Sequence, residues 1–210
     1  MTHAKLSIVR HGETSANTGG VWHGSTDTPL SDRGREQAKA VGAHFGSQPG
    51  PFHQVYASPL QRARHTAEAI ANVLELDIRE EPRLTEFDLG SWEGKSYQSL
   101  YTDYKLWDKM KEDPHFADHG GESPRQVVDR YVGALRDIAT AHPGENVVVV
   151  GHGGALSMAI AELIEGVYTA WGKVMTNCGV TDLWFEPEPR IERFNFTDHL
   201  EGLIDHKGAD

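Results

Sequence analysis

Leu6-Ser7-Ile8-Val9-Arg10-His11-Gly12-Glu13-Thr14 runs a short apolar strand straight into an arginine, a histidine and a glycine. Aliphatic and β-branched residues over so few positions suit a buried strand. Its carboxyl end places a cation and a nucleophile side by side. An arginine-histidine pair after a strand carries little alone, because most histidines of a globular protein lie on its surface or pack. Other segments give the pair its meaning.

Val147 to Val150, four valines in succession, end in Gly151-His152-Gly153-Gly154 before a helix-like stretch. Here a histidine again follows a buried strand. Val55 to Ala57 is followed by Ser58-Pro59-Leu60-Gln61, which reads as a capping box with proline at the first helical position. Arg62 then falls in the first helical turn. In an open α/β sheet, ligands bind outside the carboxyl ends of the strands. Arg10, His11, Arg62 and His152 are therefore expected to converge on one crevice, and their charge suits an anion.

Helical periodicity recurs at Ala38, Val41 and Phe45, from Leu60 to Leu74, from Val127 to Ile138 and from Leu156 to Leu163. Ser123-Pro124-Arg125-Gln126 supplies a second capping box. Val180 to Phe185 reads as a strand, and Arg190 to Phe194 as a shorter edge strand after Glu186-Pro187-Glu188-Pro189. Strands alternating with helices imply an α/β fold with a largely parallel, doubly wound sheet. With 210 residues and no linker or repeat, the chain is expected to form a single domain over 1–210, with a polar, frayed tail at 201–210.

A net charge of −11 argues against nucleic acid or an anionic membrane as partner. It leaves room for a small anionic substrate, since a few arginines can focus a local positive potential. No apolar run approaches the ~20 residues of a membrane span, so the protein is expected to be soluble and cytoplasmic. The single cysteine, Cys178, excludes an internal disulfide framework and reads as a packing residue. Among 12 histidines only His115 and His119 have a metal-like spacing, and the residues around them lack a zinc-hydrolase pattern. Neither a metal nor a cofactor is called for. Aromatic residues concentrate between Ser91 and Phe116, and Tyr97, Tyr101, Tyr104 and Trp107 share a helical spacing that predicts one packed face.

Taken together, these segments resemble the histidine phosphatase superfamily, the branch that includes cofactor-dependent phosphoglycerate mutases and many small-molecule phosphatases. Arg10 to Thr14 with Asn17 is similar to the opening signature, and Ser58 to Ala63 to the second motif. Leu84 to Gly94, Gly121-Glu122-Ser123 and Gly151-His152-Gly153 follow in the family's order. The resemblance implies a phosphoglycerate mutase-like three-layer fold, with a mostly parallel central sheet flanked by helices. It implies that His11 attacks phosphorus, that Arg10, Arg62 and His152 clamp the phosphoryl oxygens, with His152 best protonated, and that Glu86 is the acid. Asn17, His23 and Gly24 are implied as secondary phosphate contacts, and the segment at about 91–120 as a lid insertion over the site.

Phosphoryl transfer needs an in-line nucleophile, positive charge around the equatorial oxygens and a proton for the leaving group. The expected function is hydrolysis of a small phosphorylated metabolite through a phosphohistidine on His11. A cofactor-dependent phosphoglycerate mutase is the nearest alternative. Mutases of that kind usually carry a longer insertion after the acid, and a Glu-Arg-His-Tyr-Gly type sequence where this chain has Glu86-Phe87-Asp88-Leu89-Gly90. A non-catalytic phospholigand-binding module is the other alternative, although nucleophile and acid are both present. The sequence leaves the substrate open, and it is compatible with a homo-oligomer.

Overall fold

Four parallel strands set the frame: β1 (Ala4–Arg10), β2 (Gln54–Ala57), β3 (Ile78–Glu80) and β4 (Asn146–Gly151). The computed structural model describes residues 4–170, 174–186 and 188–204. Antiparallel strands β5 (Val180–Phe185) and β6 (Pro189–Phe196) complete one six-stranded sheet in the order β3-β2-β4-β1-β5-β6. The edge strand expected at Arg190 to Phe194 is longer than its pattern indicates. Strand β3, at the opposite edge, has only three residues and lacks a readable alternation.

The helices are α1 (Ser15–Thr18), α2 (Asp32–Ser47), α3 (Gln61–Leu74), α4 (Tyr97–Thr102), α5 (Leu106–Glu112), α6 (Pro124–Ala141) and α7 (Gly153–Glu165). Successive residues of a strand face opposite sides of its sheet, and the valines of β4 divide accordingly. Val147 and Val149 join the core under α6 and α7, while Val148 and Val150 join the core under α2 and α3. A strand buried on both faces explains an unbroken apolar run. The result is the three-layer arrangement, with the sheet in the middle.

Helix α6 opens as expected, with Ser123 and Gln126 capping each other's backbone and proline at the first position. The aromatic segment departs from expectation. Lys105, in a left-handed conformation at φ 49°, separates α4 from α5, so the four aromatics do not form one face. Tyr104 packs on Trp92 and Tyr101 on Trp107. Within 201–204 the backbone is tied to α2: the Leu203 carbonyl accepts from Arg33 Nε at 2.8 Å and from Gln37 Nε2 at 2.9 Å. Residues 205–210 of the expected frayed tail, and Pro187, lie outside the described residues.

Candidate active site

Parallel pairing sets Arg10 opposite Gly151. The next residues, His11 and His152, therefore leave neighbouring strand ends together, with ring centroids 5.1 Å apart. Arg62 arrives from the first turn of α3. That helix starts at Gln61, with Leu60 as a cap that makes no side-chain hydrogen bond, so the expected capping box at Ser58 does not form. The Ser58 hydroxyl instead accepts from the Leu60 amide at 3.3 Å and lies 2.8 Å from His152 Nε2.

His11 is buried, and its Nδ1 sits 2.7 Å from the Gly12 carbonyl. A carbonyl only accepts, so the proton resides on Nδ1 and the lone pair of Nε2 is free. Burial, reinforced by Arg62 and Arg10, holds the imidazole pKa well below its ordinary value. The ring is neutral, with a fixed tautomer and a free Nε2 lone pair. Thr66, which no motif singled out, accepts the Gly12 amide at 3.0 Å and donates to the Arg62 carbonyl one turn back at 2.7 Å, joining the loop after β1 to α3.

His152 departs from the protonated donor that was expected. Arg62 Nε donates to its Nδ1 at 3.1 Å, and since a guanidinium only donates, the ring proton is on Nε2, facing Ser58. Complete burial, with Arg62 and His11 beside it, pushes its pKa well down and keeps it neutral. Arg62 is equally engaged. Its Nη1 donates to the Thr26 carbonyl at 2.9 Å, and its Nη2 to the carbonyls of His23 at 3.2 Å and Gly24 at 2.7 Å. Among the described residues these bonds leave one of its five N–H groups for a ligand. Arg10 keeps more in reserve: Nη1 donates to the Met175 carbonyl at 2.6 Å, and the buried Nε has no partner among the described residues.

Glu86 hangs in the same crevice on backbone amides. Its Oε1 accepts from Phe87 at 2.9 Å and Ala155 at 2.7 Å, and its Oε2 from Gly154 at 3.0 Å. The last two amides open α7, so the carboxylate occupies the positive end of that helix. A second residue that sequence reading missed fixes the segment behind it. Arg130 donates through Nη1 to the carbonyls of Arg83 and Thr85 and through Nη2 to that of Glu86, at 2.7 to 3.0 Å. Its Nε and Nη2 also grip Glu122 at 2.6 and 2.7 Å, which engages all five N–H groups.

These groups face a cavity of about 380 Å³ lined by Arg10, His11, Asn17, His23, Arg62 and Glu86 on its polar side and by Trp22, Tyr97, Trp107 and Val174 on its apolar side. The segment at 91–120 thus supplies part of the wall through Tyr97 and Trp107. Asn17 caps α1 with Thr14, and its Oδ1 accepts from Asn177 Nδ2 at 3.2 Å. His23 Nδ1 lies 2.5 Å from the Thr28 hydroxyl. Gly24 is not among the lining residues, and its role is indirect, through its carbonyl on Arg62. A Cβ at Gly24 would run into the Phe87 carbonyl, which explains glycine there.

His119 is a buried residue packed edge-on against Phe87 and Phe116 and tilted against Trp92. Among the described residues, no group of three or more histidine, cysteine or acidic side chains is placed to hold a metal ion. Cys178 is buried, and burial pushes its thiol pKa up. No helix among the described residues is long and apolar enough to cross a membrane.

Fold and site define the class first: an α/β phosphoric monoester hydrolase built round a histidine. The chain belongs to the histidine phosphatase superfamily, branch 1, whose family model matches residues 6–197. Phosphoserine phosphatase 1 of Hydrogenobacter thermophilus is 35% identical over 203 residues, covering 93% of this chain and 94% of its own. The solved phosphoserine phosphatase of Entamoeba histolytica, in complex with phosphoserine, is similar at a TM-score of 0.84 and 30% identity, covering 94% of this chain and 99% of that one. A mycobacterial glucosyl-3-phosphoglycerate phosphatase complexed with VO3 is similar at a TM-score of 0.80 and 29% identity, covering 91% and 99%.

Proposed function

We propose that the protein hydrolyses a small phosphorylated metabolite in two steps through a phosphohistidine on His11 Nε2. The Nδ1 bond from His11 to the Gly12 carbonyl carries this reading, because it leaves one basic nitrogen, the nucleophile, facing the cavity. In the first step the Nε2 lone pair forms a bond to phosphorus as the ester P–O bond breaks. Glu86 in its acid form gives its proton to the departing oxygen. Two of its oxygen sites on Oε1 and one on Oε2 accept amides, so the remaining site on Oε2 is where a proton fits.

The phosphorylated ring is cationic and keeps its Nδ1 proton on Gly12, which makes it a good leaving group in the second step. Glu86 then takes a proton from water, the water oxygen bonds to phosphorus, and His11 leaves with the electron pair. Arg10 is the principal clamp of the phosphoryl oxygens, with one N–H from Arg62, while His152 holds Arg62 in place. Its two ring nitrogens, both used inside the protein, support a positioning role rather than contact with phosphate.

A labelled substrate, quenched into alkali within milliseconds, tests the reading. Label is expected on His11, and His11→Ala should lose at least about a thousandfold in turnover. An active His11→Ala enzyme would overturn it.

A further inference from the structure

We infer that Glu93 is a positioning residue for phosphate recognition, whose carboxylate holds the loop from His23 to Asp27 so that the loop aims Arg62 at the phosphoryl group; this rests on the phosphatase reading above. Arg62 owes its direction to carbonyls of that loop. Its Nη2 donates to those of His23 and Gly24 and its Nη1 to that of Thr26, so the N–H left for a ligand among the described residues is the second one on Nη1. Where it points depends on where three carbonyl oxygens stand. Among the described residues, no main-chain group from His23 to Thr28 bonds to other main chain, and Ser25, Thr26 and Asp27 are exposed. A segment with so few bonds and so little burial opens readily unless side chains hold it.

Glu93 does the holding. Its Oε1 accepts from the Ser25 amide at 2.6 Å and the Ser25 hydroxyl at 3.1 Å, and its Oε2 from the Thr26 amide at 2.9 Å and the Thr26 hydroxyl at 2.5 Å. A carboxylate has about four acceptor sites, and these donors take them all. Burial alone would raise its pKa, but the bonds bring it below the ordinary value, so Glu93 is charged at neutral pH. The carboxylate stands on a firm base: the Glu93 amide closes the 3₁₀ turn Gly90–Trp92 on the Gly90 carbonyl, and the Trp92 ring packs on Tyr104, Phe116 and His119. A Cβ at Gly24 would also lie 2.5 Å from Glu93 Oε1, so glycine lets the loop close on the carboxylate. At the far end of the loop, Asp27 accepts the Gln61 amide at 2.8 Å and its side-chain amide at 3.1 Å. That supplies from a distance the cap that Leu60 lacks, and ties the loop to the helix carrying Arg62.

Charge and position lead to opposite expectations for Glu93. As a negative charge that Arg62 feels, it opposes an anion, and its removal would tighten phosphate binding. As the anchor of the loop, its removal releases the carbonyls that aim Arg62, and phosphate binding weakens. Position outweighs charge, because a partly exposed carboxylate is screened by solvent, whereas a donor turned away from the phosphoryl oxygen is lost to it. The sign of the effect therefore separates the two roles.

The test is calorimetric titration with orthovanadate, an analogue of five-coordinate phosphorus, which needs no turnover. Glu93→Gln keeps the size of the side chain but sets a donor nitrogen against the donors of Ser25 or Thr26. It is expected to weaken vanadate binding about tenfold, the worth of one charge-assisted hydrogen bond. It should lower kcat/KM by a similar factor for alkyl phosphates and p-nitrophenyl phosphate alike, since the leaving group is not involved. In an Arg62→Lys background, which lacks the planar fork, the same substitution should cost less than twofold, because residues acting through one another are not additive. Should Arg62→Lys fail to fold by circular dichroism, the sign of the Glu93→Gln effect decides alone. Unchanged or tighter vanadate binding, or the full tenfold loss in the Arg62→Lys background, overturns the inference and leaves the phosphatase reading standing. Release of phosphate from no phosphomonoester by the unaltered protein would overturn that reading and this inference with it.

Discussion

Glu86 accepts three backbone N–H groups, and Arg130 ties down the three carbonyls of the segment from which it hangs. If a carboxyl fixed this way is the proposed proton donor, its loss is expected to depend on the leaving group. Glu86→Gln should slow phosphorylation of His11 by alkyl phosphates about 10²- to 10⁴-fold, yet barely affect p-nitrophenyl phosphate, whose phenolate needs little protonation. Single-turnover rates decide the matter, because in the proposed mechanism Glu86 is also the base of the second step. Equal losses for both substrates would remove Glu86 from the acid role and turn attention to Asp88. Arg130→Lys keeps the charge but replaces a planar fork with a point. It is expected to reproduce the leaving-group pattern of Glu86→Gln, at about tenfold, with the fold intact by circular dichroism. A uniform loss for both esters would mean that Arg130 supports the fold without positioning Glu86.

At the scale of elements, α7 joins the site to the core: its amides hold Glu86, and its side chains from Ala155 to Leu163 are almost all buried. Alanine normally improves a helix over glycine by about 1 kcal/mol. Position 154 should reverse that rule, since a Cβ there would stand 2.8 Å from the Trp22 ring and 3.0 Å from Glu86 Oε1. Gly154→Ala is therefore expected to slow phosphoenzyme formation at least tenfold by displacing Glu86, and a variant of unchanged rate would contradict this. Such elements were legible where period and burial agree, as in the valines of β4, the paired caps of α6 and the strand that delivers His11. Legibility failed where tertiary contacts outweigh local pattern. Ser58 reads as a cap from its neighbours, but a buried imidazole takes its hydroxyl. Tyr97 to Trp107 reads as one helical face until Lys105 turns the chain. Arg130 carries no local signal, because its three carbonyl partners lie more than forty residues away in sequence.

Across the whole molecule, the fold buries groups that prefer to titrate near neutrality. Burial is the leading cause that lowers the pKa of His11, His152, His119 and His199, and it brings His44, stacked on His199 at 4.8 Å, to about 4. In the unfolded chain each returns to about 6.5. As pH falls below that value, the unfolded state takes up protons that the native state refuses, so stability must decline with falling pH. A fully buried histidine contributes about 1.4 kcal/mol of loss for each pH unit once the pH is well under 6.5. Carboxylates such as Glu81 and Glu93, whose hydrogen bonds lower their pKa, act only further down, below about 4.5. The two windows are separable. Urea unfolding at a series of pH values should give a flat free energy between pH 8 and 7. It should then fall between about 6 and 5 with a slope that approaches two protons from His11 and His152 alone. Stability that holds level down to pH 5, or rises, would mean that these rings are charged in the native state, and the proposed attack by a neutral His11 would be lost with that result.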